Sequence, residues 1–193
     1  MADVASWAGQ FFGLTSLLLC IWAFSCKQDD RLLMLLLSAN VAFALQFLCF
    51  GSWTAAALSL LVIGRIALAR RYPGSKLAMF AVLVASGVAA AFTWQGWADL
   101  PAVVAMVLGT VGMFLLRGIP MRITLGLAAV AWAVSHILAG SIGGTAAETL
   151  VFITNAITIY RLYRAQQRYP KAFREYADVS PENPAHQPKI RNR

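Results

Sequence analysis

Apolar segments fill the chain from residue 4 to residue 164 and leave only short polar breaks between them. A membrane-spanning helix needs about 20 predominantly apolar residues, which is close to the length of each segment. Hydrophobic residues make up 60% of the sequence and charged residues only 12%, against about 45–50% and about 25% in an ordinary soluble domain. We therefore predict an all-α membrane protein and exclude a water-soluble catalytic domain. The seven predicted transmembrane helices cover residues 4–25, 32–50, 54–71, 77–93, 100–116, 122–138 and 146–164.

The 16 Lys and Arg residues all belong to alternate connections between these helices and to the segment after the last one, which places them on one side. Counted with the adjoining helix ends, two belong to the first connection, four to the third, two to the fifth and eight follow the last helix. Because positive charge is retained on the cytoplasmic side of a membrane, we expect the amino terminus outside and the carboxyl terminus inside. The same rule accounts for the net charge of +8. We therefore predict the lipid bilayer as a partner, and no nucleic acid.

The chain divides into a transmembrane domain, residues 1–164, and a basic cytoplasmic tail, residues 165–193. The tail is rich in Pro, Gln, Asn and charged residues, so it cannot bury enough apolar surface to fold alone and is expected to be mostly disordered. The three cysteines, Cys20, Cys26 and Cys49, lack metal-binding or disulfide spacing and are interpreted as packing thiols.

The transmembrane domain contains two blocks of three helices with the same layout. Each block has a basic first connection, an uncharged outer turn with a Gly-Ser pair, and an Arg-rich end; the pairs are Gly51-Ser52 and Gly140-Ser141. We predict parallel repeats over about 4–71 and 100–164, related by an axis along the membrane normal. A linker helix at about 77–93 joins them, which gives a 3+1+3 arrangement.

Polar side chains within the predicted helices are candidate solute ligands, because polar groups in hydrocarbon are costly and usually face the interior of the bundle. Gln46 lies five residues before Gly51, and Ser135 lies five residues before Gly140. The repeat therefore predicts these side chains at matching depths in the outer half. The predicted substrate-binding residues are Asn40, Gln46, Trp132, Ser135, His136 and Asn155. The alternative for Asn40 and Asn155 is an interhelical hydrogen bond, worth about 0.6 kcal/mol on average in membranes.

Two further residues are candidate gates. Trp53 lies in the tight turn between the second and third helices, and Glu148 is expected at the start of the seventh. A contact between Glu148 and His136 would gate or move a proton, whereas the alternative places Glu148 in solvent at the outer surface. Arg65 is expected to extend toward the inner interface.

The sequence predicts no catalytic residue, no metal ligand and no cofactor. It contains no phosphate-binding loop, HExxH, GxSxG or paired-carboxylate motif. His136 is the one histidine in the predicted helices, whereas a catalytic zinc needs about three protein ligands. We therefore predict that the chain is not an enzyme.

Several short segments resemble the YgjV-type bacterial inner membrane proteins. They are Ile119-Pro120-Met121-Arg122, Trp132, the run from Leu138 to Thr145 (Leu-Ala-Gly-Ser-Ile-Gly-Gly-Thr), Asn155 and Ile159-Tyr160-Arg161. The resemblance covers residues 5 to 168, and its most specific part is the Ala-Gly-Ser-Ile-Gly-Gly-Thr run with its spacing to Asn155. It implies the bacterial inner membrane as the location and carries no known activity.

The chain is also distantly similar to the superfamily of the SWEET sugar transporters, the PnuC-type vitamin-precursor transporters and the PQ-loop transporters. That resemblance implies a solute cavity between two three-helix bundles that rock to give alternating access. Those families place a hinge proline inside the first helix of a bundle; here that proline is absent, and Gly13, Gly109 or Gly112 are the candidate substitutes. We expect a transporter or facilitator of a small polar solute. The alternative is a non-transporting scaffold or accessory subunit, and a second copy of the chain is a further candidate partner.

Overall fold

The computed structural model describes residues 2–25 and 29–168, and these ranges contain seven α-helices and no strand. The predicted all-α fold and number of helices are confirmed. Cys26 and residues 169–193 of the predicted tail lie outside the described residues. The helices are α1 (Ala2–Ser25), α2 (Asp29–Cys49), α3 (Trp53–Arg71), α4 (Lys76–Thr93), α5 (Leu100–Leu115), α6 (Gly118–Leu138) and α7 (Ile142–Arg168), with a 3₁₀ turn (Trp97–Asp99) before α5.

Six segments of the described chain are long and apolar enough to cross a membrane. They belong to every helix except α2, whose apolar part, Met34–Cys49, is shorter. Large apolar side chains such as Trp7, Leu77 and Phe92 are exposed on the outside of the bundle. A surface of this kind suits lipid, where the backbone groups of a spanning segment must be hydrogen-bonded within the helix.

Six helices form a closed ring in the order α1, α2, α3, α5, α6, α7, because α7 also packs against α1. The fourth helix lies outside this ring and packs against α3 and α5. Its buried residues, Val82, Ser86 and Ala90, are spaced four apart and form one narrow stripe. Helix α4 is therefore peripheral to the interior of the bundle.

Two clusters of buried apolar residues fill the ring. The larger one includes Phe47, Leu58, Met106 and Phe114 and joins α2, α3 and α5. The smaller one joins α1, α2 and α7 around Cys20, which is 2% exposed. Cys20 thus lies among apolar side chains, as expected for a packing thiol.

The two Gly-Ser turns have the same local structure. Gly51 and Gly140 both have positive φ, at 73° and 78°, and the N–H of the following serine bonds to a carbonyl five residues back, at 2.9 Å and 2.8 Å. This is the Schellman ending of a helix, which favours glycine because it tolerates the left-handed conformation. The predicted correspondence between the two turns therefore extends to their backbone geometry.

A glutamine from the opposite part of the chain caps the helix after each of these turns. The Trp53 N–H donates to Gln95 Oε1 at 3.1 Å, and the Ile142 N–H donates to Gln10 Oε1 at 3.2 Å. Both N–H groups belong to the first residue of a helix, where no intrahelical acceptor exists. Gln10 of the first block thus stabilises the turn between α6 and α7. Gln95, in the segment before α5, stabilises the turn between α2 and α3.

Helix α7 begins at Ile142, four residues before the predicted start at residue 146. Gly143 and Gly144, which the sequence assigns to the turn, are instead helical. A Cβ on Gly143 would overlap the backbone of Gly13, and one on Gly144 would overlap the His136 ring. These glycines are therefore explained by close helix packing, and Gly13 has the same role on α1.

Candidate solute cavity

A cavity of about 240 Å³ lies among α1, α2, α3, α6 and α7. Pockets for drug-sized ligands have volumes of roughly 300–1,000 Å³, so this cavity suits a smaller molecule. Its walls are mainly apolar, with a few polar side chains from both predicted repeats. Those side chains, together with the indole of Trp132, are Asn40, Arg65, Arg122, Glu148 and Asn155.

Among the residues that the structure describes, the two asparagines of the cavity wall bond only within their own helices. Asn40 Nδ2 donates to the Leu36 carbonyl at 2.8 Å, and Asn155 Nδ2 donates to the Val151 carbonyl at 3.0 Å. Asn155 is 7% exposed, and its Oδ1 has no hydrogen-bond partner within residues 2–25 and 29–168. Neither amide forms the interhelical bond that was the alternative explanation for these residues. Asn155 instead presents an unused acceptor beside the cavity.

Arg65 lies in the cavity wall at 7% exposure, so the expectation that it extends to the inner interface is wrong. Its guanidinium occupies the space that a side chain at Gly109 would fill. Nη1 approaches the Met106 sulfur at 3.6 Å, and Nε has no hydrogen-bond partner in the described part of the chain. Sequence reasoning missed Arg65 as a cavity residue, although the buried stripe of α3 that includes Leu58, Val62 and Ala69 contains it.

Glu148 also lines the cavity, and the expectation that it lies at the start of the seventh helix is wrong. It is the seventh residue of α7, about 9 Å along the axis from Ile142 at 1.5 Å per residue. It interacts electrostatically with Arg65, without a direct ion pair between these two described side chains. It makes no hydrogen bond to His136, whose Nδ1 is occupied by Gln46.

A packed layer of polar and aromatic side chains lies between the cavity and the Gly-Ser turns. Gln46 Nε2 and His136 Nδ1 are 2.8 Å apart and join α2 to α6. The His136 ring stacks on Phe47 at 4.4 Å between centroids and lies 4.9 Å from Phe43. Gln46 and His136 are 0% and 1% exposed. This layer, formed by Gln46, His136, Phe43 and Phe47, is hereafter the aromatic layer.

The predicted binding residues therefore fall into different places. Asn40, Trp132 and Asn155 line the cavity, whereas Gln46 and His136 belong to the aromatic layer. Ser135 is buried at 5% exposure and is not part of the cavity wall. The candidate gate residue Trp53 is 53% exposed at the start of α3, away from the cavity.

The candidate hinge glycines Gly109 and Gly112 both face side chains of neighbouring helices. Gly109 faces Arg65, and a Cβ on Gly112 would lie 3.2 Å from Thr124 of α6. Both glycines therefore have a packing role. Within residues 2–25 and 29–168, no group of three or more His, Cys, Asp and Glu side chains could hold a metal ion.

Comparison with known proteins gives one family. The profile of Imp-YgjV, described as a bacterial inner membrane protein, matches residues 7–166. The inner membrane protein YgjV of Escherichia coli (strain K12) is 24% identical over 164 residues, which cover 85% of this chain and 89% of that protein. No solved structure matches this chain.

Proposed function

The chain belongs to the Imp-YgjV family of bacterial inner membrane proteins, and on that premise we propose that it transports a small polar solute by alternating access. It is a multi-pass protein of that membrane, since six of its described helices are long and apolar enough to cross a bilayer. The proposal treats the chain as a passive transporter or facilitator. It requires no catalytic group, cofactor or nucleic acid.

The cavity is the observation that supports transport. It lies between two groups of helices and contains Asn155, whose buried Oδ1 lacks a donor. A buried polar atom without a partner costs about 1–3 kcal/mol. A polar solute in the cavity would supply the missing hydrogen bond, whereas a scaffold has no need for such a gap in its core.

The two ends of the bundle differ in a way that fits an inward-facing state. The aromatic layer and the two capped turns close one end, and the charge distribution of the sequence assigns that end to the outside. Arg122, near the start of α6, lies at the other end of the cavity wall. We propose that the solute enters and leaves the present cavity from the cytoplasm, and that outward opening separates Gln46 from His136.

The order of helix packing supports the 3+1+3 arrangement for this mechanism. If α1, α2 and α3 correspond to α5, α6 and α7, then the contact of α1 with α7 corresponds to that of α5 with α3. Each half therefore contacts the other half through its first and its third helix, as expected for repeats related by an axis along the membrane normal. Rocking of SWEET-like transporters, which the sequence resembles, is the motion we propose for these halves.

A ligand screen with the detergent-purified protein tests the proposal. Sugars, vitamins, nucleosides and amino acids are added singly, and the apparent unfolding temperature is measured, because a ligand that binds only the folded state raises it. We expect a saturable increase with one chemical class, and loss of that increase in Asn155→Leu.

The matched control is Thr149→Leu, which removes an exposed hydroxyl bonded within the same helix. It should retain both the ligand response and the uptake of that ligand by cells or proteoliposomes. A folded protein that responds to no compound, or an Asn155→Leu variant with unchanged uptake, would contradict the proposed site. A large loss of stability in Asn155→Leu with co-purification of a partner would favour the scaffold.

A further inference from the structure

Arg65 and Glu148 face the same cavity without a direct ion pair, and a second arginine, Arg122, lies in the cavity wall near the start of α6. The Arg65 guanidinium and the Glu148 carboxyl group both line the cavity wall and interact electrostatically. A buried charge whose partner is missing destabilises a protein strongly. Direct pairing would remove that penalty, so the gap between the two groups suggests a ligand that bridges them.

Arg65 is held in place by the helix behind it. Gly109 leaves room for the guanidinium, and the Met106 sulfur accepts weakly from Nη1. Neither neighbour carries a negative charge, and no described residue forms a hydrogen bond with Nε. The side chain is therefore positioned, and its charge is not neutralised by α5. A planar guanidinium of this kind suits a carboxylate, which it can bind through two parallel hydrogen bonds.

Glu148 provides the complementary charge. Among the described residues, no donor bonds to its carboxylate, in contrast to Asp99, whose Oδ2 accepts from Thr54 Oγ1 at 3.0 Å and from the Gln95 N–H at 2.7 Å. The unused Oδ1 of Asn155 lies in the same wall. These acceptors suit a group that carries several N–H donors and a positive charge.

We infer that the cavity binds a small amino acid as a zwitterion, with its carboxylate on Arg65 and its ammonium group on Glu148 and Asn155. This inference rests on the proposed transport function and names its substrate class. A neutral sugar would leave both charges unpaired in a desolvated site, which strongly disfavours binding. The cavity has a volume of about 240 Å³, which equals about eight waters at roughly 30 Å³ each. This volume favours an amino acid with a small side chain.

Three matched probes test the two ends of this site separately. L-alanine carries both charges, propionate lacks the ammonium group, and ethylamine lacks the carboxylate. Dissociation constants are measured by calorimetry on the purified full chain. We expect L-alanine to bind, and each of the other two probes to bind roughly 10- to 100-fold more weakly, because each loses charged hydrogen bonds.

Variants then assign each end to a residue. Arg65→Gln should abolish L-alanine binding, whereas Glu148→Gln should make L-alanine and propionate bind alike. The control Arg71→Gln removes an exposed arginine from the same helix and should change nothing. Gly109→Ala retains both charges, but its Cβ overlaps the guanidinium, so it should weaken L-alanine binding even if Arg65→Gln fails to fold.

The outcomes separate this inference from the proposed function. Equal binding of propionate and L-alanine to the original protein, or an unchanged ratio in Glu148→Gln, would overturn the zwitterion site. If sugars, vitamins or nucleosides bind saturably and amino acids do not, transport stands and the inference fails. If no compound of the whole library binds to folded protein, both fail.

Discussion

The bond between Gln46 and His136 should couple α2 to α6, and a double-mutant cycle measures that coupling. Gln46→Met removes the amide and keeps the length of the side chain, which leaves His136 Nδ1 buried without a donor. The expected loss is about 1–3 kcal/mol of unfolding free energy. His136→Phe leaves Gln46 Nε2 without its acceptor and introduces a larger ring beside Gly144.

The double variant loses both partners together, so the two penalties for unpaired groups do not add. Hydrogen bonds between membrane helices contribute about 0.6 kcal/mol on average and up to about 1.7 kcal/mol. We expect a coupling near the upper value, because both side chains are at most 1% exposed. Strain from the larger Phe ring occurs in the single and the double variant and therefore cancels.

Reversible unfolding by sodium dodecyl sulfate in mixed micelles, followed by circular dichroism, gives the four free energies. The control cycle combines Gln46→Met with Ser86→Ala on α4, which removes a hydroxyl bonded within its own helix at 2.7 Å. That pair should be additive within about 0.3–0.5 kcal/mol. If the free-energy losses of Gln46→Met and His136→Phe also add within that range, the view that this bond joins the two halves is refuted.

Three further predictions concern packing, capping and access. Gly143→Ala should cost about 1–3 kcal/mol in the same unfolding assay, because its Cβ meets the backbone of Gly13, whereas Gly87→Ala, which meets nothing within 4 Å, should be neutral or stabilising. Gln10→Ala removes the acceptor of the Ile142 N–H at the start of α7, where Ser141 Oγ still accepts from the Gly144 N–H, and should lower the stability by about 0.5–1.5 kcal/mol, with hydrogen exchange fastest in the first turn of that helix. Leu125→Cys, placed in the cavity wall of a chain without other cysteines, should react with an impermeant maleimide faster in inside-out vesicles than in right-side-out vesicles; the reverse order would contradict the proposed orientation.

The helices could be predicted because each one is a long apolar segment ended by a local signal. Gly51 and Gly140 adopt the same left-handed conformation in the same Schellman ending. Counting back from these glycines placed Gln46 and the Ser135-His136 pair at equal depth, and the structure brings Gln46 and His136 into contact. Spacing along a helix determines the depth of a side chain in the membrane, so the matching depths of these residues could be predicted from the sequence.

The positions of the two cavity charges were not accessible in the same way. Arg65 has other arginines shortly after it, so the charge rule assigns it to the inner interface. Its burial depends on Gly109, which is distant in sequence and comes close only through the packing of α5 on α3. Glu148 was misplaced because Gly143 and Gly144 look like turn residues, although their missing side chains allow α7 to pack closely against α1 and α6.

The buried polar groups of the bundle separate into two kinds according to how they are satisfied. Asp99 is 6% exposed and accepts two hydrogen bonds, which hold the segment before α5 against the start of α3. Among the described residues, Arg65 Nε and Asn155 Oδ1 are buried without a hydrogen-bond partner and face one cavity together with Glu148, whereas Gln46 Oε1, in the aromatic layer, is also without a partner. The chain thus provides hydrogen-bond donors for the carboxylate of Asp99, whose role is structural. Unused capacity beside a cavity is what a site for an exchanging solute requires, because groups already paired with protein would have to break those bonds each time a solute binds.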